Sequence, residues 1–344
     1  MLNRSGWDIL SVLNETASNS TSSNGKSMEW VSKVKLGFNV VFLVVGVLSN
    51  LFVVIFNVKI KKTRGIASAY EYFISNLCVS EIAFVSISFI DIYYKLPLTL
   101  FYCKVVSPSL TMILIVSMYT VTAIALFRCR AIVNPFKPKP SLKCIYLTIA
   151  GVWFFALIDV IPYGIVLDVK NGKCRENWPT QTLNKLYTTA LFLLQYPLPL
   201  TILAVSYIKI VVFLKRHAVP QSGLSIDTAS QMATRRKRDM EVLKISVMII
   251  LLYAILTLPL QIAWMAHIFH YPTLHGIFSQ FSNQLLLLHS CCNPFVYGTI
   301  SREFRSQAMS IIKNAFNGVF RRNTIESVVI YKDGRVNIAL QDEK

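Results

Sequence analysis

Seven stretches of this chain each run for about twenty residues with at most one Asp, Glu, Lys or Arg: 36–58, 72–90, 105–127, 144–167, 186–208, 245–266 and 271–299. About 20 apolar residues cross the hydrocarbon core of a bilayer as a helix, and lipid admits only helices or closed barrels because each must satisfy its own backbone. The strict alternation that barrel strands need is absent. The sequence therefore predicts an all-α membrane protein, a bundle of seven transmembrane helices. Composition agrees, with 54% hydrophobic and only 15% charged residues, more apolar than one soluble core requires.

A net charge of +18 suits nucleic acid until the basic residues are placed. With the N-terminus outside, 25 of the 35 Lys and Arg fall on the tail and on the connections after spans one, three and five, against 10 on the opposite face. That asymmetry puts the tail in the cytoplasm. Runs such as KIKKTRG (59–65) and RRKR (235–238) then read as solvated anchors at anionic membrane lipid, and no nucleic-acid partner is expected. Residues 1–30 lack an apolar signal-peptide core, so the first span is expected to serve as the anchor. Residues 1–33, rich in Ser and Asn, are expected to form a disordered extracellular segment, glycosylated at the sequons of Asn3, Asn14 and Asn19. The bundle is placed at 34–300 and a cytoplasmic tail at 317–344, where Arg321 and Arg322 precede Thr324 in a pattern that basic-directed kinases accept.

Of seven cysteines, Cys78, Cys129, Cys144, Cys291 and Cys292 fall within spans or at their cytoplasmic ends, where thiols usually pack. Cys103, at the outer start of span three, and Cys174, in the outer loop after span four, are the only external pair. Facing an oxidising compartment, they are expected to form a disulfide that pins the loop over the mouth of the bundle.

Polar groups inside spans are costly unless they face the interior and find partners. Here Asn50, Glu81, Ser117, His289, Ser290 and Asn293 all lie near mid-membrane. They make one polar cluster, which either joins helices by hydrogen bonds or switches state around a bound cation. A sodium ion there is the only cofactor the sequence suggests. Pro162, Pro199, Pro259 and Pro294 each remove a backbone hydrogen bond and permit a kink.

An ordered set of motifs resembles a rhodopsin-like (class A) G-protein-coupled receptor across residues 34–316. GVLSN ending on Asn50, NLCVSE ending on Glu81, Arg128 25 residues after Cys103, Trp153, YPLPLTILAVSY with Pro199 and Tyr207, Pro259, and NPFVY (Asn293, Pro294, Tyr297) followed by SREFR carry the resemblance. It implies a short amphipathic cytoplasmic helix over 301–316. It also implies that Arg128 ends span three at the cytoplasmic mouth, restrained at rest and released to receive a heterotrimeric G protein when span six swings outward. Phe127 replaces the usual acid before that arginine, so Asp239 is expected to restrain it, and Tyr207 and Tyr297 to hold the opened state. Arrestin and receptor kinases are further partners the resemblance implies. The usual Trp of span six is Thr257, with Tyr253 four residues earlier, and His289 replaces the usual Asn of span seven.

Leu110, Thr111 and Leu114 occupy the pocket-facing positions of span three, with no acid to pair an amine, and Leu287 stands where opsins carry the retinal lysine. Gln195, Gln261, Trp264, Gln280 and Asn283 should line the outer half, a neutral amide-rich set suited to peptide backbone or a carboxamide. Asp91 either pairs a ligand cation or makes an i,i+4 pair with Lys95. The set looks most like neuropeptide receptors. The alternatives are a class A receptor for a lipid or other small molecule, one with substantial constitutive activity and, remotely, a transporter or channel. No repeat, conduction path or nucleophile motif supports a transporter or an enzyme. Residence at the plasma membrane is expected.

Overall fold

The computed structural model describes residues 23–64, 69–93, 99–134, 136–170, 173–216 and 226–300, together with 305, 306, 309, 310 and 313. The elements are α1 (Ser23–Arg64), α2 (Ala69–Tyr93), α3 (Ser107–Val133, entered through a π-helical turn, Tyr102–Val106), α4 (Leu142–Val166), β1 (Leu167–Lys170), β2 (Lys173–Glu176), α5 (Gln181–Gln195), α6 (Pro197–Arg216), α7 (Ile226–Ile268) and α8 (Pro272–Ile300). Helices α5 and α6 together make the fifth span. Among the described residues six segments are long and apolar enough to cross a membrane. The more polar α8 completes the seven. The bundle unit ends at Tyr297, and a separate unit begins at Gly298. Within that second unit Arg305 donates to the carbonyls of Gly298 and Thr299, groups that a helix end leaves without intrahelical partners.

Helix α3 is the axis of the bundle. Its most apolar window is 72% buried against 17% for α4, because α3 packs on α2, α4, α6 and α7 while α4 turns most of its surface outward. Polar side chains tie the helices together where lipid offers no alternative partner. Asn76 of α2 donates to Thr120 Oγ1 of α3 at 2.8 Å and accepts from the Trp153 indole of α4 at 3.0 Å. Ser80 and Ser117 join α2 to α3 at 2.9 Å.

The prolines explain several of the remaining bonds. Pro294 has no N–H for the Ser290 carbonyl one turn back, and Asn50 Nδ2 of α1 donates to that carbonyl at 3.0 Å. Pro199 likewise deprives the Gln195 carbonyl, which accepts from the Tyr253 hydroxyl of α7 at 2.9 Å. Helices α4, α7 and α8 run continuously through Pro162, Pro259 and Pro294. The break falls in the fifth span at Tyr196, where Pro197 and Pro199 remove two ladder bonds within one turn. Tyr196 itself is held by its hydroxyl donating to the Ala254 carbonyl at 2.7 Å.

Helix α1 begins at Ser23, so residues 23–33 of the segment expected to be disordered are helical. Asn3, Asn14, Asn19 and Thr324 lie outside the described residues, as does most of 301–316.

Candidate functional site

The outer mouth is built around one covalent link. Cys103 and Cys174 form a disulfide with Cα atoms 5.6 Å apart, and Cys103 sits in a buried cluster with Tyr102, Tyr163 and Leu167. The bond holds the β1–β2 ribbon against the outer end of α3. On the far side, α7 and α8 meet in a three-residue turn. Tyr271 N–H donates to the Ala266 carbonyl and His270 N–H to that of His267, with His270 at φ 62°, the left-handed residue that closes a Schellman-type helix end. This tight closure sets the His267 and His275 rings 5.0 Å apart. His275 Nδ1 donates to the Ala263 carbonyl at 3.0 Å.

Between ribbon and helices lies an open cleft lined by Glu176, Leu260, Ala263, Trp264, His267, Ile268, His275, Ser279, Ser282 and Asn283. Burial pushes the Glu176 carboxyl up from its ordinary value, partly offset by the Trp178 indole N–H that it accepts at 2.7 Å. A deeper, smaller cavity shares Leu260 and is lined by Leu114, Gln195, Tyr253, Thr257, Gln261 and Leu286. Its floor is aromatic, with Tyr253 edge-on to His289 at 5.4 Å. Thr257 donates its hydroxyl to the Tyr253 carbonyl at 2.8 Å.

Below that floor the mid-membrane residues come together. Glu81, Ser117, His289, Ser290, Asn50 and Asn293 are all buried, and Asn293 Nδ2 donates to Glu81 Oε1 at 3.3 Å. Asn50 Oδ1, Glu81 Oε2 and Asn293 Oδ1 are buried oxygens without a hydrogen-bond partner. Among the described residues no three His, Cys, Asp or Glu side chains are placed to hold a metal.

At the cytoplasmic end, the Arg128 guanidinium lies over the Tyr70 ring, 4.1 Å from its centroid. Phe127 packs edge-on against Phe73 at 4.9 Å. Tyr207 is buried. Asp239 lies in α7 and Tyr297 in α8, but their side chains are outside the described residues.

The family model for the rhodopsin family of seven-transmembrane receptors matches residues 49–297. This chain belongs to that family. The receptor is 30% identical over 265 residues to the RYamide receptor of Drosophila melanogaster, covering 71% of this chain and 56% of that one. It is 26% identical to the neuropeptide Y receptor type 6 of Oryctolagus cuniculus (87% of this chain, 89% of that one) and 26% identical to the neuropeptide FF receptor 2 of Mus musculus (71% and 65%). The match spans little more than half of the first relative's length.

Of the residues singled out from the sequence, Leu114, Gln195 and Gln261 line the deeper cavity of the receptor, and Trp264 and Asn283 line the outer cleft. Leu110 is packed with Phe84, Ile113 and Leu286 in the core. Thr111 and Asp91 line neither cavity. Gln280 is exposed, and its backbone carbonyl accepts from Lys35. Glu176, His267, His275, Ser279, Ser282 and Tyr70 were not identified as site residues. A period-2 count from Cys174 gave the only available signal for Glu176.

Proposed function

We propose that this receptor resides in the plasma membrane with its N-terminus outside, binds an extracellular peptide in the cavities beneath the β1–β2 ribbon, and activates heterotrimeric G proteins by outward movement of the inner half of α7. The observation that carries the reading is a pair of neighbouring outer cavities that share Leu260 and place a few amides and hydroxyls among apolar side chains, in a chain whose relatives are receptors named for RYamide, neuropeptide Y and neuropeptide FF. Peptide backbone and a terminal carboxamide offer both donors and acceptors, which Gln195, Gln261 and Asn283 can meet.

Ligand entry at the deeper cavity bears on Tyr253, and through its contact with His289 on the mid-membrane cluster. That cluster fits a sodium ion: Asn50 Oδ1, Glu81 Oε2 and Asn293 Oδ1 are hard, buried and unsatisfied oxygens. A cation bound there would supply the positive charge that the buried Glu81 lacks. At the cytoplasmic end, loss of the Arg128–Tyr70 contact exposes the guanidinium to a G protein. Receptor kinases acting on Thr324, and arrestin, would then terminate the signal.

The test is ligand-dependent G-protein activation in cells expressing the full chain, screened against amidated peptides and, in parallel, lipids. Activation by at least one peptide supports the reading. Activation confined to lipids overturns it.

A further inference from the structure

Two histidines that the proposed function leaves unused meet at the outer end of the bundle. His267 lies in the last turn of α7 and His275 near the start of α8, eight residues apart in sequence. The turn between them is closed by backbone hydrogen bonds. Tyr271 N–H donates to the Ala266 carbonyl at 2.8 Å, His270 N–H to that of His267 at 3.2 Å, and His275 N–H to that of Tyr271 at 3.0 Å. Both rings are thus carried on helix ends whose relative position the chain itself fixes, and their centroids lie 5.0 Å apart. Both are half-buried in the wall of the outer cleft.

The separation, the tautomer and the local charge all suit a metal ion. Two imidazoles that ligate one tetrahedral ion through ring nitrogens about 2 Å from it have their centroids about 5 Å apart. His275 Nδ1 lies 3.0 Å from the Ala263 carbonyl oxygen, which can only accept. The proton therefore sits on Nδ1, and the neutral ring leaves Nε2 bare. Donation of the second ring N–H to a backbone carbonyl is the support that metal-bound imidazoles usually have, because it fixes the ring and raises its basicity. The residues lining the cleft include no Lys or Arg, so an entering cation meets no fixed positive charge there. His270 is engaged elsewhere, its Nε2 3.1 Å from the side-chain amide of Gln181 on α5. Among the described residues no third His, Cys, Asp or Glu completes the set. A tetrahedral ion on the pair therefore keeps two positions for water or for a donor atom of another molecule in the cleft.

We propose that His267 and His275 bind a zinc ion at the outer mouth of the receptor. Imidazole is a good ligand for zinc, whereas magnesium and calcium take oxygen donors. Two protein ligands hold the ion less firmly than the three or four of a catalytic or structural site, which suits an ion taken up and released rather than one built into the fold. When bound, it ties the end of α7 to the start of α8 from within the cleft. The inference depends on the ring geometry and not on which ligand activates the receptor.

Two measurements test it, and neither needs an agonist. Purified full-length receptor in detergent, stripped with chelator, is titrated with zinc chloride while Tm is followed. Wild type should show a saturable rise of about 2 °C or more, and magnesium should give none. His267→Gln and His275→Gln should each abolish the rise, and the double variant should lose no more than either single, because one ion is lost in all three. His270→Asn, which keeps a residue tolerant of the left-handed backbone at that position, should retain it. No zinc-specific rise in wild type, a rise that persists in either glutamine variant, or one that His270→Asn removes overturns the proposal. The second measurement needs no substitution. Diethyl pyrocarbonate modification of the wild-type chain, mapped by mass spectrometry, should fall about tenfold at His267 and His275 with zinc at about ten times its Kd, and should be unchanged at His270. Equal modification of the pair with and without zinc overturns the proposal even where a glutamine variant fails to fold.

Discussion

The guanidinium of Arg128 on α3 is seated over the ring of Tyr70 on α2, 4.1 Å from the ring centroid. One residue earlier, where an acid would pair an arginine in this family, Phe127 packs on Phe73 of the same α2 face. Two aromatics one turn apart on α2 thus receive two consecutive residues of α3. Among the described residues the Arg128 guanidinium thus makes a cation–π contact, which on the proposed function would restrain it at rest.

Removing that contact should raise basal signalling. A cation–π pair contributes about 0.5–2 kcal/mol, which shifts a two-state population by roughly twofold to thirtyfold. Tyr70→Leu should increase ligand-free G-protein activation, normalised to surface expression, and Tyr70→Phe should leave it near wild type. Asp239→Ala should also raise it, Phe127→Asp should lower it, and Arg128→Ala should abolish coupling while retaining ligand binding. An inert Tyr70→Leu would mean that the stacked geometry carries no restraint.

Asn50 and Pro294 should be energetically coupled. Asn50→Leu leaves the Ser290 carbonyl without the donor that replaces the proline's missing N–H, a loss of about 1–3 kcal/mol. Pro294→Ala restores a backbone donor to that carbonyl. The double variant should therefore recover part of the Tm lost by Asn50→Leu, and additive losses would show that the bond is incidental.

The same reasoning applies to the fifth span. Tyr253→Phe removes the donor to the Gln195 carbonyl that Pro199 leaves unsatisfied, and Tm should fall by an amount that Pro199→Ala partly returns. Equal losses with and without Pro199 would assign the effect to packing against His289.

The disulfide closes a loop of 71 residues, for which chain entropy gives a stabilisation of about 4 kcal/mol. Cys103→Ala and Cys174→Ala should each impair surface expression, with the double variant no worse than either.

Seven spans, their order and the external cysteine pair were legible in the sequence, because lipid enforces long charge-free helices and oxidising surroundings leave one pair available. Asn50, Glu81 and Asn293 were legible as a group for the same reason: a polar side chain at mid-membrane has nowhere to point except inward. The partners were not. That Asn50 serves the carbonyl freed by Pro294, and Tyr253 the one freed by Pro199, depends on which helix faces which. Glu176 sits in a loop whose composition resembles any charged turn, and only the ribbon's register, fixed by the disulfide, carries it inward while Arg175 faces out. Tyr70 gave no signal at all, since an aromatic near a membrane boundary is ordinary until the guanidinium of Arg128 is found above it. Periodicity and charge act along one chain and are readable there; stacking, register and the exchange of hydrogen bonds between helices act across space, and the tertiary structure alone decides them.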